Sequence, residues 1–255
     1  MRILVTFAVD AELAPWRRQR NLEEVRNGGV TLHRAQIGRA RVDLVVTGMG
    51  AENATRVVNT ILGLKEPYQF CVSSGFAGGL GEYSIGDILV ADAVQQLGKS
   101  KTLQCSRNLV HAARADGAKR VKLFLTSDHV VRTVGEKSQL APFAGAVEME
   151  GFAIACVAHA HRLPFVAIRV ISDTTERDMP VGIDTMVDDK GRLSVGGVVR
   201  QVVYHPLQLP ALIRLGRESR TAAEALANFL EAFLKKLSLS SHGWPPPELQ
   251  EVAAR

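Results

Sequence analysis

Cysteine, large aromatics and long apolar runs are all scarce in this chain. Its three cysteines, Cys71, Cys105 and Cys156, show no paired spacing and suit a reducing compartment. Three tyrosines and two tryptophans leave few flat side chains on which bases could stack. Nucleic acid is therefore not the expected partner, although the formal charge is +5. No stretch reaches the roughly 20 apolar residues of a membrane helix. The apolar opening from Met1 to Val9 stops at Asp10 without a small-residue cleavage pattern, so it reads as a first β-strand rather than a secretory signal. A cytoplasmic protein is expected, with peripheral contact at the inner membrane face left open.

What is present fits one globular unit. A chain of 255 residues, 46% apolar and 22% charged, can bury one large core. Short apolar β-branched runs alternate with longer amphipathic ones, the pattern of a sheet covered by helices. The strands expected are Ile3–Val9, Val42–Thr47, Phe70–Ser74, Asp87–Ala91, Val121–Thr126 and Phe165–Ile171. The helices expected are Ala51–Leu64, Asn108–Asp116, Met149–His161 and Arg217–Leu237. In the last, Ala222, Ala225, Leu226, Phe229, Leu230, Phe233, Leu234 and Leu237 recur at helical spacing and form a core-facing stripe. The expected organisation is one domain over residues 1–237, with a poorly ordered tail from Ser238 that carries Pro245-Pro246-Pro247.

Two glycine-rich loops imitate nucleotide sites and fail on geometry. Gly48-Met49-Gly50 follows a strand and precedes a helix, but Asn53 stands where the dinucleotide pattern needs a small residue. Gly98-Lys99-Ser100 resembles the end of a P-loop, but Ala93 occupies the position of the first glycine. His159-Ala160-His161 lacks a spaced carboxylate or cysteine partner and reads as a helix end, so no metal and no cofactor is expected.

Five short segments remain, four of them closing a strand or opening a helix, where α/β sheets gather reactive groups. They are Ala8-Val9-Asp10-Ala11-Glu12, Thr47-Gly48-Met49-Gly50, Ser74-Gly75-Phe76-Ala77-Gly78-Gly79, Val147-Glu148-Met149-Glu150-Gly151 and Ile171-Ser172-Asp173. Carboxylates at a helix start are favoured by the macrodipole alone, so single members prove little. In this order, however, the five resemble the nucleoside phosphorylase superfamily, and most nearly its nucleosidases for methylthioadenosine and S-adenosylhomocysteine. The likeness runs from Met1 to about Leu237 and is weakest between Tyr83 and Ala146.

The resemblance implies a three-layer α/β sandwich with a mixed central sheet flanked by helices, and cleavage of the bond between a purine and its ribose. It makes Asp173 the general acid at purine N7 and Glu12 the group that activates water. Glu150 would accept hydrogen bonds from the ribose hydroxyls, and Met149 would pack on the sugar. Glu148, Phe76, Ala77, Gly78 and Ser172 would line the substrate, and Val130 and Val131 would shape the base pocket. Such chemistry suits these residue types: the departing base needs a proton and the sugar turns cationic. An acid working near neutrality needs a raised pKa, which desolvation beside the apolar run Phe165–Ile171 would supply. Against these roles stand plainer ones: Asp173 as a turn cap, Glu148 as a solvated helix-start charge, and Glu12 as the beginning of a surface helix.

Superfamily phosphorylases hold phosphate with the Gly-x-Gly loop, a serine and arginines. Here Phe76 takes the serine's place and Val72, Ser73 and Ser74 stand where an arginine is expected. Gly48, Met49, Gly50 and Ser74 remain as a candidate anion loop, with Arg17, Arg18 or Arg20 as cations that could swing in. Without a fixed arginine the dianion is poorly compensated, so hydrolysis is the expectation and phosphorolysis its rival. Two further rivals are a methylthioadenosine or adenosylhomocysteine nucleosidase and a non-catalytic nucleoside-binding protein.

Residues 174–216 are longer and more apolar than in ordinary nucleosidases. The segment from Arg192 to Arg220 carries five arginines, its two end residues included, and a single acidic residue, Glu218. Packing on the sheet is the default explanation of the apolar residues. The insert is also similar to a hopanoid-associated branch of the superfamily, which implies adenosylhopane, a nucleoside with a long apolar 5′ substituent, as substrate. The family also implies a homo-oligomer, with a dimer favoured.

Overall fold

The computed structural model describes residues 1–63, 67–180 and 209–239. The chain opens with β1 (Arg2–Phe7), α1 (Asp10–Gln19), β2 (Glu23–Asn27), β3 (Val30–Ile37), β4 (Ala40–Val46) and α2 (Ala51–Leu62). Next come β5 (Phe70–Ser73), β6 (Phe76–Gly79), β7 (Ile88–Gln96), β8 (Thr102–Gln104), α3 (Arg107–Ala115) and β9 (Lys119–Thr126). The last described elements are α4 (Val134–Leu140), β10 (Ala146–Glu148), α5 (Gly151–Ala160), β11 (Phe165–Asp173) and α6 (Leu209–Leu239).

The strands form one mixed sheet flanked by helices. β1 lies between β4 and β5, parallel to both, and β5 is parallel to β11. All of β1 and all but the last residue of β11 are buried, as strands covered on both faces should be. β11 also pairs with β6 in parallel and with β7 in antiparallel fashion. Because β6 pairs with β10, β10 with β9 and β9 with β7, that end of the sheet curls into a closed ring. The register of β11 on β6 slips between Ile171 and Asp173, so Ser172 is an extra residue. Bulges of this kind re-aim the next side chain, and here that side chain is Asp173.

α6 packs against α1 and α3, while α2 packs against α5. The stripe on α6 is buried at Ala222, Leu226, Leu230, Phe233, Leu234 and Leu237, and Ala225 and Phe229 lie partly buried against the same core. Each of the larger side chains contributes on the order of 1.5–3 kcal/mol by leaving water. The Trp16 indole N–H donates to the Ala227 carbonyl at 3.0 Å and ties α1 to this helix.

Several boundaries differ from expectation for local reasons. β1 ends at Phe7, and Asp10 begins a helix that contains Pro15. β2 and β3 were not expected, because Glu23, Glu24 and Arg26 break the apolar pattern of an exposed edge strand. They form a hairpin whose turn places Gly28 at φ 58° and Gly29 at φ 79°, conformations glycine adopts freely. The helix expected from Met149 starts at Gly151, since Glu148 still belongs to β10. The final helix starts at Leu209 rather than Arg217, so the end of the apolar insert is helical. Most of that insert and the tail beyond Leu239 lie outside the described residues.

Candidate active site

Glu12 sits in the first turn of α1 and is nearly inaccessible. Its Oε2 accepts the backbone N–H of Ala8 at 2.7 Å and of Val9 at 3.1 Å, and its Oε1 accepts that of Phe76 at 2.7 Å. Val9 has no side-chain acceptor for the helix start, so the Glu12 carboxylate caps this turn, which the Glu12 N–H also closes by donating to the Val9 carbonyl at 3.1 Å. Burial pushes the Glu12 carboxyl above its ordinary value, while the three N–H groups and the Arg169 charge pull the other way. The close approach depends on Gly75, at φ 143°, where a Cβ would fall 2.6 Å from Glu12 Oε1. Glu12 is thus no surface-helix charge.

A second carboxylate is locked by ionic contacts. Glu148 and Arg169 are both buried and form a salt bridge. Glu148 Oε2 also accepts from Glu150 N at 3.1 Å and Gly151 N at 2.6 Å, and Oε1 accepts from the Thr126 hydroxyl. The Thr126 oxygen in turn accepts Phe152 N–H at 2.9 Å. Arg169 spends its remaining donors on the Ser73 carbonyl at 2.7 Å, the Ser73 hydroxyl at 3.0 Å and the Ile168 carbonyl at 2.9 Å. The solvated role for Glu148 is therefore overturned: it holds the turn that presents Met149 and Glu150.

Glu150 is buried, and its Oε1 accepts the N–H of Gly50 at 2.7 Å. Gly50, at φ 88°, is the residue that opens α2, so the Gly48-Met49-Gly50 loop directs an N–H at a carboxylate of the protein itself. Burial first, and then the neighbouring Glu148 charge, push the Glu150 carboxyl up to about 8; Glu12 adds to the rise, and Gly50 N–H and Arg169 oppose it. Met149 beside it is half-buried.

A pH dependence of stability follows. With its folded pKa raised from 4.5 to about 8, Glu150 keeps its proton longer in the folded than in the unfolded chain. Its stabilising contribution is complete below about 4.5 and is lost as the pH rises through about 8. Glu150→Gln retains an acceptor for Gly50 and carries no charge. The stability advantage of this variant over the wild type, followed by thermal melts, should grow between about pH 5 and 8 by on the order of 1 kcal/mol per pH unit at most and level off above. A gap that stays flat across that range would contradict the assignment.

Asp173 ends β11, and its Oδ2 takes the ammonium of Lys137, a fully buried lysine on α4. Lys137 Nζ also donates to the Thr174 carbonyl at 2.8 Å, and the Ser172 hydroxyl lies 3.3 Å from Asp173 Oδ1. Gly78, opposite Asp173 on β6, leaves the room for this contact: a Cβ there would stand 3.1 Å from Asp173 Oδ2. Asp173 thus ends the buried apolar run Phe165–Ile171, as expected, and also meets a buried cation, Lys137, which was not expected. β6 therefore joins the parts, holding Glu12 through Phe76 N–H at one end and facing Asp173 at Gly78 near the other.

The remaining sequence candidates fall into place less fully. Ala77 is buried, and Phe76 is half-buried against the main core. Val131 packs with Leu80, Leu125 and Val147, while Val130 is only partly covered. A cavity of about 250 Å³ opens beside Asp173, bounded by Tyr83, Thr174, Met179, Arg214 and Leu215 among others; Glu12, Met149, Glu150, Val130 and Val131 do not line it. His129 is exposed and contacts Asp128 at 2.6 Å. The candidate anion loop is committed elsewhere, because the Ser74 hydroxyl donates to the Thr6 carbonyl at 2.8 Å. Arg17 pairs with Asp10, Arg18 with Glu224 and Arg20 with Glu231, so each of the three candidate cations already has an acidic partner.

Lys137 and Arg169 were not singled out from the sequence. An arginine inside the apolar run Phe165–Ile171 was a usable signal, since a buried guanidinium requires a partner. Lys137 gave none, lying in a short helix of ordinary polarity.

Known proteins match the chain along most of its length. Residues 2–203 match the model of the family described as the Phosphorylase superfamily. A 5′-methylthioadenosine/S-adenosylhomocysteine nucleosidase of Desulfotalea psychrophila is 30% identical over 199 residues, covering 68% of this chain and 84% of its own. The nucleosidase of that name from Hydrogenovibrio crunogenus is 27% identical over 214 residues, covering 74% and 92%. Among solved structures, the Helicobacter pylori nucleosidase superposes with a TM-score of 0.70 at 21% identity, covering 92% of this chain and 98% of the other. The chain belongs to the phosphorylase superfamily.

Proposed function

We propose that this protein hydrolyses the N-glycosidic bond of an adenine nucleoside. Asp173 protonates the purine at N7, Glu12 takes a proton from the attacking water, and Glu150 accepts hydrogen bonds from the ribose hydroxyls with Met149 against the sugar. The observation that carries this reading is where the donors of the site point. Gly50 N–H and Phe76 N–H are given to the carboxyl groups of Glu150 and Glu12, and the Ser74 hydroxyl to the Thr6 carbonyl. A phosphate dianion finds these donors taken, whereas carboxyl oxygens suit a ribosyl group turning cationic. The relatives support the class of substrate, since both are named as nucleosidases of methylthioadenosine and adenosylhomocysteine.

Phosphorolysis is the second reading, favoured only by the family to which the chain belongs. Adenine release from 5′-methylthioadenosine, followed in phosphate-free buffer and again with phosphate, separates the two. Hydrolysis predicts equal rates and free 5-methylthioribose as product, while an absolute phosphate requirement would overturn it.

The finer proposal is a nucleoside with a long apolar 5′ substituent, adenosylhopane being the resemblance's candidate. Its support is the sequence of the apolar, arginine-bearing stretch between Arg192 and Arg220. Peripheral contact with an anionic membrane belongs to the same proposal. A series of adenine nucleosides differing only at the 5′ position tests it: kcat/KM should climb with alkyl chain length, and a preference for the methylthio group would overturn it.

A further inference from the structure

Lys137 is an unusual lysine. It lies on α4, a helix of only seven residues, yet its side chain has no exposed surface. An ammonium group that leaves water entirely needs compensation, and Lys137 finds it in Asp173 Oδ2 and the Thr174 carbonyl. The space it occupies exists because Gly78 has no side chain; a Cβ there would stand 3.5 Å from Lys137 Cε and 3.1 Å from Asp173 Oδ2. Three elements, α4, β6 and the bulged end of β11, thus converge on one contact with the carboxyl group that the proposed reaction uses.

The contact is asymmetric. Oδ2 is occupied by the ammonium, and among the described residues Oδ1 has the Ser172 hydroxyl at a long 3.3 Å. A carboxyl group pinned through one oxygen cannot rotate freely, so Oδ1 is the oxygen left to face a ligand. Resting on the function proposed above, we propose that Lys137 is the positioning residue of the general acid. It fixes the rotation of Asp173 and stabilises the carboxylate that remains after the proton has gone. In the step itself, a proton that Asp173 has taken from solvent on Oδ1 passes to purine N7 as the bond from the base to C1′ breaks and its electron pair stays on the base. Water supplies the hydroxyl to C1′ and gives its other proton to Glu12, and exchange with solvent returns both carboxyl groups to their starting states. Lys137 keeps its three protons throughout.

The test compares leaving groups. Lys137→Met, with similar bulk and no charge, is assayed on 5′-methylthioadenosine and on p-nitrophenyl ribofuranoside, whose nitrophenolate departs without needing a proton. On the nucleoside, kcat should fall about 30-fold with KM within about threefold, the kinetic size of one charge-assisted hydrogen bond to the developing carboxylate. On the nitrophenyl substrate the variant should stay within about threefold of wild type. Equal losses on both substrates, or no loss on either, would overturn the role of Lys137. If the methionine variant does not fold, Lys137→Gln, a neutral donor, carries the same comparison. Failure of the wild type to release adenine from any nucleoside would overturn the underlying function instead, so the two failures are distinguishable.

Discussion

Asp173→Asn should lower adenine release by roughly 100- to 10,000-fold, the range by which a positioned general acid accelerates proton transfer. The asparagine retains the shape and an oxygen for Lys137, but it has no proton of suitable acidity to give N7. KM should change little, because the lost interaction belongs to the transition state. The variant also leaves the Lys137 ammonium facing a neutral group, with the Thr174 carbonyl as its second acceptor. Some stability should therefore be lost as well, and thermal melts must accompany the kinetics. Pairing it with Lys137→Met removes the orphaned charge and should recover stability while leaving activity absent. An Asp173→Asn protein with near wild-type rates would end the proposal that this carboxyl is the acid.

Glu12 shows how the fold, rather than the residue, makes the second reactive group. Three backbone N–H donors fix its carboxylate, and each comes from a place where a regular element has just ended or is about to begin. Ala8 and Val9 follow β1, and Phe76 follows the turn at Gly75. Such N–H groups have no partner within a helix or a strand, so they are free to hold a charge. The same logic applies to Glu148, which collects the N–H groups of Glu150 and Gly151 at the start of α5. Active groups gather at the ends of these strands because unsatisfied backbone donors gather there.

Much of this was legible in the sequence. The buried parallel strands β1, β4, β5 and β11 announce themselves through consecutive apolar residues, and the stripe of α6 through its helical spacing. The segments carrying Glu12, Glu150 and Asp173 were recognisable by their order. The edge hairpin β2–β3 was not, because one of its faces is solvent and its charged residues hide the alternation; only Asn27-Gly28-Gly29 signalled a turn. α1 was obscured by Pro15 and a run of polar residues. The closing of the sheet through β11 and β7 depends on pairings between segments some eighty residues apart, which no local pattern encodes. Lys137 and Arg169 belong to the same class. Each is a charge whose role is set by a partner distant in the chain, Asp173 for one and Glu148 for the other.

Arg169→Met should be the most destabilising of these substitutions. The wild-type guanidinium serves Ser73 twice, Ile168 once and Glu148, all inside the core. Its removal leaves the Ser73 carbonyl without this donor and the Glu148 charge buried without a counter-ion. Breaking one half of a buried pair costs about 3–5 kcal/mol. In a protein of this size that corresponds to a fall in Tm of roughly 6–20 °C, readable by calorimetry or urea unfolding. The loss should be smaller in Arg169→Met combined with Glu148→Gln, since the second change removes the uncompensated charge and keeps acceptors for Gly151 and Thr126. The cycle formed by the two single variants and the double one isolates the interaction. Arg169 also restrains the pKa of Glu150, so the single variant should bind a proton at Glu150 still more readily and go on losing stability to a higher pH than the wild type. A single variant less than about 1 kcal/mol below wild type would mean that this ion pair, despite its burial, does not hold the turn on which Glu150 stands.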